Sequence, residues 1–130
     1  MTTDKWRWKN FKKEELDCRH CSAHIIVPEF LDRLQRLRDD YGRQMKITSG
    51  YRCSQYNLQI SSTGLTGPHT TGRAVDICVA KKDAYDLLHL ALLHGFTGIG
   101  IKQTGPYDKR FIHLDDISDR TIRPTVWTYP

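Results

Sequence analysis

Three side chains with metal-binding chemistry sit in two short runs, His69 and Asp76 in HTTGRAVD (69–76) and His113 in FIHLD (111–115). Alternate side chains of a strand share a face, so Ala74, Asp76 and Cys78 point one way and Val75, Ile77 and Val79 the other. The same rule groups Phe111, His113 and Asp115, with Ile112 and Leu114 turned to the core. If the two strands are neighbours, one face carries Asp76, His113 and Asp115. A carboxylate among apolar β-formers is costly unless something positive meets it. His69 precedes the first strand and can fold back over that face, because Gly72 supplies backbone freedom and Pro68 restricts the approach. Two imidazoles and one carboxylate are the donor set of a catalytic zinc site with a fourth position open to water. The charge left on such an ion lowers the pKa of water from about 15.7 toward roughly 7. On these residues alone a loop histidine at 69 and a half-buried sheet histidine at 113 remain the competing reading.

The elements that must position these residues follow from periodicity. Residues 25–42 read as an amphipathic helix with Pro28 in its first turn, Gly42 beyond its end, and Phe30, Leu31, Leu34, Leu37 and Tyr41 on one stripe. Residues 45–49 form a short β-run, after which GYRCSQYN turns away, and 61–72 is a loop rich in Gly, Ser and Thr. Strand 73–79 leads into a second helix, 81–95, with Tyr85, Leu88, Ala91 and Leu92 on one side. Strands 96–102 and 110–116 flank a hairpin-like turn, and 125–129 is expected as an edge strand. The pattern predicts an α+β fold, a small antiparallel sheet with two main helices, in one domain spanning 1–130. Residues 1–24 are expected to form a polar extension packed on it.

The chain has 130 residues, 20 Lys and Arg against 15 Asp and Glu, and a formal net charge of +5. That balance favours polyanions in general, an anionic cell wall among them. No nucleic-acid module accompanies the charge, so nucleic acid is not an expected partner. No apolar run is long enough to span a bilayer, and no stable membrane association is expected. The start, MTTDKWRWKNFKKEELD, lacks the apolar region of a secretory signal, so a cytoplasmic origin is expected.

HTTGRAVD fits an HxxGxAxD motif, FIHLD is similar to FVHxD, and ITSGYR (47–52) is similar to an SGYR segment. Together, in this order, they resemble the zinc D-Ala-D-Ala carboxypeptidase-like metallopeptidases, the M15 peptidases, over roughly residues 27 to 127. The resemblance implies a hedgehog/DD-peptidase-like fold and hydrolysis of peptide bonds in bacterial peptidoglycan, an activity found in many phage lysins. It implies Zn²⁺ held by His69, Asp76 and His113; a monomer acting on the wall after release is expected. It further implies that Arg52, with Tyr51 beside it, binds the substrate carboxylate or polarises the scissile carbonyl, a task suited to a planar guanidinium.

Two departures from the family pattern bear on the chemistry. Gly67 stands where members commonly carry a serine, so a hydroxyl is lost or comes from a neighbour such as Thr70 or Ser62. Arg110 stands where many carry the acidic general base. Asp115 is then the first candidate base, Asp108 the second, and Asp115 as an orienter of a ligand histidine is an equal alternative. Loops 61–68 and 103–109 are expected to close the cleft and set which bond is cut.

Cys18 and Cys21, in CRHC with His24 nearby, form a zinc half-site without an evident partner pair. Cys53 could add a third ligand, but simple thiols, Cys78 included, are the preferred reading. His89 and His94 read as ordinary helix residues. Trp6 and Trp8 are read as an amphipathic clip over the sheet, with wall or membrane-surface contact as the other option. A wall-binding or virion structural module that keeps the zinc without turnover is the alternative function.

Overall fold

The computed structural model describes residues 6–130; residues 1–5 of the expected N-terminal extension lie outside the described residues. From Trp6 the chain forms an arm with one helical turn, α1 (Lys13–Leu16), followed by helix α2 (Pro28–Tyr41). Trp8, Phe11 and Leu16 enter the core. An indole N–H needs an acceptor once buried: that of Trp8 donates to Asp32 on α2 at 2.9 Å, and that of Trp6 to the Phe11 carbonyl at 2.7 Å. Trp8 thus clips the arm to α2 rather than to the sheet, and Trp6 braces the arm on itself. The helix itself follows its pattern, with Phe30, Leu31, Leu34, Leu37 and Tyr41 all buried. Gly42 ends it at φ 68°, donating its N–H to the Arg38 carbonyl.

Then come β1 (Lys46–Ser49), α3 (Ser54–Ile60), two 3₁₀ turns (Gly64–Thr66 and Pro68–Thr71), β2 (Ala74–Cys78), α4 (Lys81–Leu93), β3 (Gly98–Lys102), a third 3₁₀ turn (Tyr107–Lys109), β4 (Phe111–Asp115) and β5 (Thr125–Thr128). The strands make one sheet in the order β1-β2-β4-β3-β5, antiparallel except for β5, which lies parallel to β3 at the edge. This is the α+β fold expected from the sequence. Val75, Ile77, Ile99, Ile112 and Leu114 share a core with the apolar faces of α2 and α4.

Two expectations need correction. The stripe on α4 is Ala84, Leu87 and Ala91, whereas Tyr85 and Leu92 are exposed. Leucines occupy so many positions of this helix that spacing does not single out one face. The run after β1 contains α3, a helix that buries only Asn57 and so has no apolar stripe to announce it. No helix among the described residues is long and apolar enough to cross a membrane.

Candidate metal centre

Strand register places the site. Asp76 on β2 is paired directly with His113 on β4, and Ala74 with Asp115. His69 enters from the 3₁₀ turn Pro68–Thr71, which ends on Gly72 at φ 74°. A Cβ on Gly72 would collide with the Ile25 carbonyl oxygen at 2.0 Å, so the return of His69 depends on a glycine there. Nε2 of His69 and Nδ1 of His113 each lie 3.1 Å from Oδ1 of Asp76 and 3.2 Å from each other. All three residues are buried.

Donors about 2.0–2.2 Å from a tetrahedral zinc ion stand roughly 3.3 Å apart, so this set fits the ion in spacing and chemistry. The outer nitrogen of each ring is fixed as well. Nδ1 of His69 donates to the Gly50 carbonyl at 2.7 Å, and Nε2 of His113 meets Oδ2 of Asp115 at 2.8 Å. Each bond leaves the inner nitrogen free to ligate.

Asp115 lies behind His113, fully buried. Arg123 grips both its oxygens, Nε to Oδ1 at 2.9 Å and Nη2 to Oδ2 at 2.8 Å. Room for this comes from β3, where Gly98 pairs with Asp115 and Gly100 with His113. A Cβ on Gly98 would sit 2.2 Å from the Asp115 carboxylate, and one on Gly100 would sit 2.6 Å from Nε1 of Trp127. The Trp127 ring packs on His113 at 5.0 Å between centroids, with the Arg123 guanidinium above the indole. Arg123, Gly98 and Trp127 were not among the residues singled out from the sequence. The alternation of glycines in GIGIK on the site face was the available signal.

Arg52 lies on the other side of Asp76, reaching Oδ2 of Asp76 at 3.3 Å, Ser49 Oγ at 3.1 Å and Asn57 Oδ1 at 3.2 Å. Asn57 is buried and also donates to Thr63 Oγ1 at 2.8 Å. A Cβ on Gly67 would meet that same hydroxyl at 2.0 Å. The oxygen beside Gly67 therefore belongs to Thr63. Thr70, one of the two neighbours expected there, instead donates its hydroxyl to the Gly67 carbonyl.

The charges follow from these contacts. Burial would raise the Asp76 pKa, but His69 and His113 outweigh it and hold the carboxylate ionised. Burial likewise opposes ionisation of Asp115, and its bonds to His113 and Arg123 prevail. Burial pushes His69 down, while His113 is raised because hydrogen bonds to Asp115 and Asp76 overcome its own burial.

The centre opens into a groove of about 1170 Å³. One wall is the 60–69 segment, as the loop expectation had it. The other is the C-terminal segment, including Asp119, Arg123, Trp127 and Tyr129, and not the 103–109 turn. Asp108 is exposed on that turn and does not line the groove. Tyr51 is also outside it: consecutive residues of extended chain face opposite ways, and with Arg52 on the groove Tyr51 packs against the core.

No curated protein matches the chain. The family model described as Peptidase M15 matches residues 9–115, a span that holds the His69, Asp76 and His113 cluster together with Arg52 and Asp115. The chain belongs to the Peptidase M15 family of zinc-dependent metallopeptidases.

Proposed function

We propose that this protein hydrolyses peptide bonds in bacterial cell-wall peptidoglycan, with zinc held by His69, Asp76 and His113. The observation that carries the reading is the convergence of three buried donors, each with its outer atom already satisfied, at the floor of a large groove. When bound there, zinc supplies Lewis acidity that polarises a peptide carbonyl and makes water nucleophilic near neutral pH. The chain's own residues hold and orient. Gly50 and Asp115 fix the two rings, and Arg52 pins one oxygen of Asp76 so that the other faces inward. Arg52 has five N–H donors. Those not spent on Ser49, Asn57 and Asp76 are available to a substrate carbonyl or carboxylate in the groove it lines.

The burial of Asp115 behind His113 favours an orienting role over that of a general base. The groove has room for a stem peptide or cross-bridge laid over the metal centre, as an endopeptidase and a D-Ala-D-Ala carboxypeptidase both require. The net charge of +5 suits an anionic wall. The motifs are those of a family with many phage lysins, and we assign this chain the same role, as a monomer.

One observation favours a second reading, a wall-binding module without turnover: neither Asp115 nor Asp108 reaches the groove as a base. The test is mass spectrometry of purified peptidoglycan after incubation, with chelator and with zinc restored. Peptide fragments that vanish with chelator and return with zinc support the peptidase, and their ends identify the bond. Binding to the wall without fragments supports the module.

A further inference from the structure

Beside the loop that carries Arg52 lies a second cluster of metal-binding side chains. Cys18 and Cys21 come from the N-terminal arm, and Cys53 caps the start of α3. Their sulfurs all lie within 4.8 Å of one another, and none is in a disulfide. Nδ1 of His20 is 3.5 Å from the Cys53 sulfur, and its ring stacks on Tyr56 at 5.6 Å. A sulfur and an imidazole nitrogen on one tetrahedral zinc, at about 2.3 and 2.0 Å, stand roughly 3.5 Å apart.

The backbone is shaped around the same atoms. The Cys18 sulfur faces the N–H of His20 at 3.4 Å and of Cys53 at 3.3 Å. Ser22 N–H donates to the Cys18 carbonyl and Cys18 N–H to the Ala23 carbonyl, both at 2.9 Å. That turn places Ser22 at φ 62°, a left-handed conformation that a residue with a Cβ rarely adopts. N–H groups aimed at a sulfur favour the thiolate, the form that binds metal.

We propose that Cys18, Cys21, Cys53 and His20 bind a structural zinc ion, separate from the centre at His69, Asp76 and His113. The ion ties the arm to the segment entering α3. That segment is already joined to the arm by Tyr51 N–H on the Leu16 carbonyl at 2.9 Å, and to the metal centre by Arg52 N–H on the His69 carbonyl at 3.0 Å. It thus fixes the base of the Arg52 loop. The same segment makes close contact at Gly50, whose Cβ would strike the Leu16 backbone at 2.5 Å.

The test is cobalt(II) substitution of the reduced 130-residue chain, read by thiolate-to-metal charge-transfer absorption, beside zinc content per chain. The expected result is a thiolate band and about two zinc ions per chain. In the His69→Ala/His113→Ala variant the band should persist while zinc falls by about half, which separates this site from the peptidase reading. Cys21 is exposed, so Cys21→Ser should fold and lose about a third of the band. No thiolate band in the reduced wild-type protein, or an undiminished band in Cys21→Ser, overturns the proposal. So does peptide mapping that finds Cys18 disulfide-linked to Cys21 or Cys53 while the reduced protein leaves all three thiols freely reactive in excess zinc.

Discussion

Nε2 of His113 meets Oδ2 of Asp115 at 2.8 Å, while Nδ1 of the same ring faces Asp76 and His69. One carboxylate thereby decides which nitrogen is free to ligate and how the ring is aimed. Asp115 is itself held by two bonds from Arg123, so a chain of side chains runs from a C-terminal segment to the metal centre.

If Asp115 orients a ligand, Asp115→Asn should weaken zinc binding about 10–100-fold. Saturating zinc should then restore most of the peptide release. Had Asp115 been the base, zinc would bind normally and turnover would stay low whatever the zinc concentration. Zinc-activation curves for the two proteins distinguish these results.

Arg123→Met should be costly, because it strips a buried carboxylate of its cationic partner. Breaking such a pair costs about 3–5 kcal/mol. Denaturant unfolding of the variant should show a loss in this range, and a loss under about 1 kcal/mol would mean that Arg123 contributes little to the site.

Gly98→Ala places a methyl group against the Asp115 carboxylate. Overpacking of this kind costs about 1–3 kcal/mol. Zinc affinity should fall with stability, since the displaced group is the one that orients His113. An alanine variant with unchanged melting and unchanged zinc affinity would show that the strand shifts freely.

Protonation competes with the metal at His113. Its pKa lies above 6.5 because bonds to Asp115 and Asp76 outweigh burial, whereas burial puts His69 below 6.5. A zinc ligand must shed its proton. Lowering the pH through the raised pKa of His113 should therefore weaken zinc binding at this centre, by up to about tenfold per pH unit for one displaced proton. Between 6.5 and that pKa, His69 is already neutral and contributes no proton. Imidazole NMR of the chelator-treated protein should show one of the two rings titrating above 6.5 and the other below; the reverse assignment would contradict the geometry.

Much of this site was legible because its logic is local. The period of two in AVDIC and FIHLD sorts core from site without knowledge of the fold, and the strand register then sets Asp76 opposite His113. Gly72 carried its own conformational signal. What stayed hidden depends on contacts between distant segments. Nothing in CRHC shows that Cys53 packs beside it, and nothing near Gly67 shows that the Thr63 hydroxyl fills the space. Arg123 belongs to a segment with no periodicity, so its bond to Asp115 is visible only in three dimensions. The stripe on α4 is not legible in the sequence because leucines surround that helix and Tyr85, apolar over most of its ring, is exposed.

His69, Asp76 and His113 should bind one metal ion together. Anomalous diffraction at the zinc edge, from crystals grown with zinc, tests it most directly. The expected result is a peak about 2.0–2.2 Å from Nε2 of His69, Nδ1 of His113 and an oxygen of Asp76. A well-ordered site with no peak among these three residues in excess zinc would contradict the account.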